Sequence, residues 1–168
     1  MNYNKLLNEN KIVNGIKGFQ GKYRILSNFA IHNPIGIPLP WGSSNAVMYY
    51  GNNVEALFQS TKSLTPSQIK TISSSDPPSA KRLGRRCNLR TDWELIKEDV
   101  MYYLLKTKYQ NVKEFRDLLD SIPKDKIIVE FNTWNDREWG VCSKTFIGKN
   151  KLGKLLMALR GENGNKTC

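Results

Sequence analysis

The chain has 168 residues, 39% hydrophobic and 24% charged, enough for one compact domain with a real core. It holds no apolar run of about 18 residues, its polar, Asn-rich start lacks the apolar stretch of a signal peptide, and Cys87, Cys142, Cys168 and His32 have no metal-ligand spacing. These features argue against a membrane span, a disulfide framework and a structural zinc site, and they suit a reducing cytoplasm.

Residues 1–17 read as a loose arm or edge segment. Gly18 to Phe29 places aromatic and aliphatic residues between glycines, which predicts a short strand and then a turn. Pro34, Pro38 and Pro40 with Gly36 and Gly42 make residues 33–45 a loop or irregular hairpin. Val47 to Tyr50 predicts a strand leading into a helix from Val54 to Lys62. On that helix Glu55, Gln59 and Lys62 recur at helical spacing, so a carboxylate, an amide and an amine fall on one narrow stripe. Val54, Leu57, Phe58, Thr61 and Leu64 form the opposite, buried face.

Thr65, Pro66 and Gln68 predict a capped helix start, and Ser73 to Pro78 its end. Ser79 then caps a short basic segment through Arg85. Thr91 to Glu94 is a second capping box, opening a long helix with Trp93, Ile96, Val100, Met101, Leu104 and Leu105 on one side. Lys97 falls inside that stripe, a position suited to a snorkelling stem. A further helix runs from Asn111 through Phe115, Leu118 and Leu119. Ile127 to Phe131 predicts a strand, residues 132–149 a loop, and Asn150 the cap of a last helix through Leu152, Leu155, Leu156 and Leu159. No repeat or linker divides the chain, so one domain over residues 18–160 is expected, with a tail over 161–168.

The net charge of +11 is uneven. Residues 61–90 carry seven basic side chains against one acid, Asp76. Such a patch suits phosphate on a nucleotide or a nucleic acid backbone, or simply a soluble surface. The chain has no P-loop, dinucleotide fingerprint, HExxH or nucleophile elbow. With one histidine, triad chemistry is not expected, and His32 beside a Pro/Gly loop reads as incidental. Carboxylates, lysines, asparagines and tryptophans remain. Trp93, Trp134 and Trp139 offer stacking surfaces for a flat base, although Trp93 on a helix face also fits a core.

Phe19-x-Gly21-x-Tyr23-x-x-Leu26-Ser27-Asn28-Phe29, followed by Glu55-x-x-Phe58-Gln59-x-x-Lys62, resembles the NADAR/YbiA-like family. The later blocks agree in order: Ala80-Lys81-x-x-Gly84-Arg85, Arg90-x-Asp92-Trp93, Val129-Glu130, Asp136-x-x-Trp139-Gly140 and Gly148-x-Asn150-x-Leu152-Gly153. The chain departs from the family in the loop over 33–47 and at Asn53-Val54, where members often carry a Thr-Ser cap.

The resemblance implies an α+β, mostly helical domain with a small sheet, and an N-glycosidase acting on ribosyl compounds without metal or cofactor. Its substrate would join a ribose C1 to an exocyclic amine, as in riboflavin-pathway ribosylamino intermediates or ADP-ribose on guanine in DNA or RNA. Glu55 would be the acid/base. Lys62 or Lys81 would be the covalent or electrostatic partner, and the residues alone do not rank them: Arg82, Arg85 and Arg86 crowd Lys81, whereas Glu55 shares a stripe with Lys62. Asn28, Phe29, Gln59, Gly84, Trp93, Asp136 and Asn150 would line the substrate, with Asp136 and Asn150 equally readable as turn and cap residues. Arg85 would take phosphate. Trp139 would stack on the base, with Gly140 letting it approach the backbone. Glu130 is either a second carboxylate at the pocket or an ion-pair partner. The rival readings are a module that captures an ADP-ribose-like nucleotide without turnover, and a plain nucleic acid binder.

Overall fold

The computed structural model describes residues 1–164; Cys168 and the end of the expected tail lie outside them. The described chain is mixed α+β. It contains α1 (Tyr3–Asn8), β1 (Ile35–Leu39), β2 (Val47–Gly51), α2 (Val54–Ser60), α3 (Pro66–Ser73), α4 (Pro77–Gly84), α5 (Trp93–Asn111), α6 (Lys113–Ser121), β3 (Phe131–Asn132), β4 (Val141–Cys142) and α7 (Lys151–Gly164). The described residues cluster into two compact units, one made of residues 28–113 and the other of residues 1–27 with those from 114 onward. No helix among the described residues is long and apolar enough to cross a membrane.

In the first unit β1 and β2 form an antiparallel hairpin, with Ile37 opposite Tyr49. The stretch read as a loop therefore contains a strand. Ile35, Ile37 and Leu39 alternate toward the core, and the proline between them stands in a two-stranded sheet, where one side of each strand needs no partner. α2 packs against α3, α4 and α5 and is buried along its whole length. Ala56, Ile72 and Ala80 meet where α2, α3 and α4 touch, covered by Leu83 and Cys87. Leu64, expected on the buried face, is exposed, because α2 ends at Ser60 and the chain leaves the helical phase.

The helix starts differ from the sequence reading in who caps whom. Asn53 caps α2, its side-chain oxygen accepting from Ala56 N at 2.7 Å. Thr65 makes no capping bond, and Gln68 instead accepts from Ser63 Oγ at 2.6 Å. Asp76, not Ser79, caps α4. Pro77 and Pro78 occupy its first turn, where a missing N–H costs nothing. Asp92 starts α5 without a side-chain cap, because its carboxylate is gripped by the Arg90 fork at 2.6 and 3.0 Å.

In the second unit α1 replaces the expected loose arm. Asn2 caps it, and Tyr3 packs in a core with Ile12, Val129, Phe131 and Val141. Gly21–Leu26 is a 3₁₀ helix, not a strand. Ile127 bridges only Ile12, and β3 pairs in parallel with β4 over two residues, so the strand read at 127–131 is mostly irregular. A side chain supplies the missing ladder: Asn150 Oδ1 accepts from Glu130 N at 3.0 Å and its Nδ2 donates to Ile128 O at 2.9 Å.

Candidate active site

Nine of the predicted site residues stand in the first unit, and the structure links them into one cluster. Glu55 lies in the first turn of α2, only 8% exposed, and Gln59 one turn later is 6% exposed. Gln59 Nε2 donates to Glu55 Oε1 at 2.8 Å. The polar stripe is therefore not a solvated face: it is folded inside. Glu55 N donates to Asn28 O at 3.1 Å, which ties the acidic turn to the Asn28-Phe29 segment. Asn28 is itself buried; its Nδ2 contacts Met101 Sδ at 3.6 Å, and its Oδ1 finds no donor among the described residues.

Lys62 follows the helix as a turn, its N donating to Gln59 O at 3.2 Å. Its ammonium lies 5.7 Å from the Trp93 ring centre, and Trp93 packs on Phe58 with centroids 5.0 Å apart. Trp93 thus serves as core and as a cation platform together. Burial holds the Lys62 amine below the usual lysine range; Arg85 and Lys81 push the same way, while Glu55 and Cys87 oppose them. Lys81, on α4, stands 5.9 Å from the centre of the Phe29 ring. Both lysines are half-buried, and burial disfavours the charged form of Lys62.

Gly84 closes the cluster. A Cβ there would stand 1.9 Å from Gln59 Oε1, so only glycine lets α4 approach the Gln59 amide. Cys87 Sγ in turn donates to Gly84 O at 3.3 Å. Arg85 is the C-cap residue of α4, and its side chain reaches solvent.

The remaining four predicted residues belong to the second unit. Asp136 Oδ1 accepts from the N–H groups of Glu138 and Trp139, both at 3.0 Å, the Asx turn that its sequence position allowed. Trp139 is half-buried. Gly140 is pressed on Glu130: a Cβ would meet Glu130 Oε2 at 2.0 Å and its carbonyl oxygen at 2.3 Å. Asn150 is wholly buried, and its amide is spent on the main chain of residues 128 and 130. It is not a side-chain cap of α7. With φ at 53° it stands in the left-handed region that asparagine tolerates.

Sequence reasoning passed over Lys108, which is fully buried on α5. Its spacing from Met101 and Leu104 would have found it, since seven and four residues separate them on one face. Lys97, inside the apolar stripe of α5, pairs with Glu94 at 2.5 Å. His32 has Nδ1 against Asn33 O at 2.7 Å, and burial lowers its pKa. Among the described residues no group of acidic, histidine and cysteine side chains could hold a metal.

Comparison with known proteins agrees with the residue pattern. The solution structure of YbiA from Escherichia coli superposes with a TM-score of 0.70, at 34% identity, covering 88% of this chain and 84% of that one. The Escherichia coli protein named N-glycosidase YbiA is 39% identical over 111 residues, 63% of this chain and 66% of its own length. The chain thus matches slightly under two thirds of that relative. An N-glycosidase of Nostoc punctiforme is 32% identical, covering 69% of this chain and 76% of its own. A maize chloroplastic riboflavin biosynthesis protein, PYRR, is 30% identical over 88% of this chain and 25% of its own length. The NADAR domain profile matches residues 18–162, and with that span and the mixed α+β fold it shares with YbiA, the chain belongs to the NADAR domain family.

Proposed function

We propose that this chain is an N-glycosidase that cleaves the bond between a ribose C1 and an exocyclic amine, with residues 18–160 as its catalytic domain. The observation that carries the reading is the burial of Glu55 beside an amine, Lys62, whose charged form is disfavoured. A binding surface gains nothing from a desolvated acid next to a weakened base, whereas proton exchange and nucleophilic attack need both. The relatives named N-glycosidase support the reaction class.

The steps follow from the substrate bond. The exocyclic N-riboside opens to an imine at C1. Neutral Lys62 Nζ adds to C1, Glu55 delivers a proton to the departing amine, and the C1–N bond to the base breaks. A Schiff base between C1 and Lys62 remains. Water adds to it, Glu55 takes back a proton, and the sugar leaves as an aldehyde that closes to its hemiacetal, restoring the lysine. Lys81, over Phe29, supplies positive charge. Arg85 takes a substrate phosphate, and Asn28 Oδ1 accepts from a sugar hydroxyl. The basic segment favours a large phosphorylated substrate, ADP-ribose on guanine in nucleic acid, over a ribosylamino pyrimidine phosphate.

The test is incubation with ADP-ribosylated guanine DNA and, separately, with the ribosylamino pyrimidine phosphate, followed by chromatography of the released sugar. Release from either establishes the glycosidase and names its substrate. Tight binding of unchanged ligand by both routes would replace it with a nucleotide-capturing module. Glu55→Gln should abolish release while ligand affinity stays within about tenfold, or ~1.4 kcal/mol. Borohydride present during turnover should add the sugar's mass to the peptide containing Lys62.

A further inference from the structure

One residue of the first unit joins the segments that carry the Lys62 amine and its indole platform. The N–H of Arg90 donates to Lys62 O at 2.9 Å, and its carbonyl accepts from Trp93 N at 3.4 Å. Ser63 and Leu89 pair beside it as an antiparallel bridge, so the turn leaving α2 lies against the approach to α5. Trp93 opens α5, where a helix offers its own first N–H groups no partner. Both members of the Lys62–Trp93 contact, 5.7 Å from ammonium to ring centre, therefore hang on the backbone of residue 90.

The Arg90 side chain fixes that backbone. Nε and Nη2 donate to the two oxygens of Asp92 at 2.6 and 3.0 Å, and Nη1 donates to Trp41 O at 3.0 Å. The side chain is only 9% exposed, unlike Arg85 and Arg86, which reach solvent. Each of its nitrogens is aimed at a protein group, so the guanidinium is not offered to a substrate phosphate. Trp41 packs edge-on against Tyr103 of α5, with ring centres 5.2 Å apart, and the hairpin loop thus closes the same clamp. A planar fork held at three atoms has one orientation, which a flexible ammonium does not reproduce.

We infer that Arg90 is a positioning residue for the proposed reaction: by gripping Asp92 and the Trp41 carbonyl, it holds the Lys62 amine over the Trp93 ring and partly shielded from water. Its catalytic consequence rests on the glycosidase reading; its hold on the amine rests on the geometry alone. Glu55, Cys87, Arg85 and Lys81 are the charged or titratable groups that act on the Lys62 amine. Arg90 is not among them, so it works through placement and not through its charge. Loosening the clamp admits water to the amine and stabilises its charged form.

The experiment compares Arg90→Lys, which keeps the charge and loses the fork, with Asp92→Asn, which keeps Arg90 and weakens its grip. Carbon-13 NMR of ε-labelled lysines, with the Lys62 resonance assigned by Lys62→Met, should show the Lys62 midpoint rising toward the ordinary lysine range in both variants, further in Arg90→Lys. On whichever of the two ribosylated substrates is cleaved, kcat should fall about tenfold in Arg90→Lys with KM within about threefold, the pattern of a group that sets reacting geometry without holding substrate. The acid limb of the pH–rate profile should rise with the Lys62 midpoint. The double variant should be little worse than Arg90→Lys alone, because the two residues act through one contact. Arg160→Lys removes a comparable clamp in the second unit, where Arg160 donates to the carbonyls of Pro123 and Lys126, and it should leave the Lys62 midpoint native. Should Arg90→Lys not fold, the Asp92→Asn midpoint decides. The inference is overturned if that midpoint stays native in the Arg90 and Asp92 variants, if Arg160→Lys moves it as far, or if KM rises with kcat unchanged, which would make Arg90 a substrate ligand. A protein that cleaves neither substrate removes the glycosidase reading, and the midpoint then decides the hold on the amine by itself.

Discussion

Gln59 donates to Glu55 at 2.8 Å across a single turn of a fully buried helix. A hydrogen bond to a buried carboxylate contributes about 1.5–3 kcal/mol, and here it also fixes how the Glu55 carboxylate is turned. Gln59 is a positioning residue in this geometry. Gln59→Leu should therefore lower kcat at least tenfold with a much smaller change in KM. It should also move the acid limb of the pH–rate profile, which simple destabilisation would not do. A profile identical to that of the native protein would show that Glu55 is oriented by something else.

The same amide explains the glycine one helix away. Gly84→Ala would place its new methyl 1.9 Å from Gln59 Oε1 and 2.8 Å from Cδ. Both helices are packed, so the side chain must swing out and release Glu55. Overpacking of this kind costs about 1–3 kcal/mol, and activity should fall with it. Combining Gly84→Ala with Gln59→Ala should restore much of the stability but none of the activity. Thermal unfolding of the two single variants and the double variant closes that cycle. Simple additivity would mean that the two residues do not meet.

The Glu55, Gln59 and Lys62 stripe was legible because helical spacing alone aligns those three positions. That the stripe faces inward was not legible, since a polar stripe is ordinarily solvated. Its burial depends on the approach of α4, which no local pattern encodes. The capping boxes misled for a related reason. Thr65 precedes α3 as read, but Ser63 donates to the Gln68 side chain that would close its box; the box read from Thr91 fails because Asp92, held by Arg90, is the residue before α5, and competition among polar partners is settled in three dimensions. At Gly21–Leu26 the glycines around the aromatic residues suited a strand, yet a strand needs a partner and none of the described segments pairs there.

Lys62 should titrate below an ordinary lysine. Burial is the leading cause, and the Glu55 carboxylate opposes it. A lowered folded pKa means that the unfolded chain binds the extra proton. Stability from this group is therefore lost as pH falls through the folded pKa and complete above the unfolded value near 10.5. Carbon-13 NMR of ε-labelled lysines should show one resonance moving at lower pH than the rest and disappearing in Lys62→Met. Glu55→Gln removes the opposing charge and should push that midpoint lower still. Arg85→Ala should raise it. Movement in the opposite sense for either variant would mean that the amine is solvated.

Asn150 offers the clearest separation of a ligand role from a structural one. Its amide is enclosed, and both ends are bound to main-chain groups of residues 128 and 130. Asn150→Ala leaves a buried N–H and a buried carbonyl without partners, at about 1–3 kcal/mol each. It also keeps a non-glycine residue at φ 53°, a conformation that asparagine tolerates better than alanine. Asn150→Gly relieves the second cost and not the first. The structural role therefore predicts that both variants unfold at lower denaturant, with alanine the worse by about 1 kcal/mol. Substrate affinity, measured on the folded fraction, should stay near native in each. A direct ligand contact predicts the reverse: affinity lost equally in both variants, whatever the backbone strain. The order of the two variants in denaturant, read beside their affinities, decides which role the side chain performs.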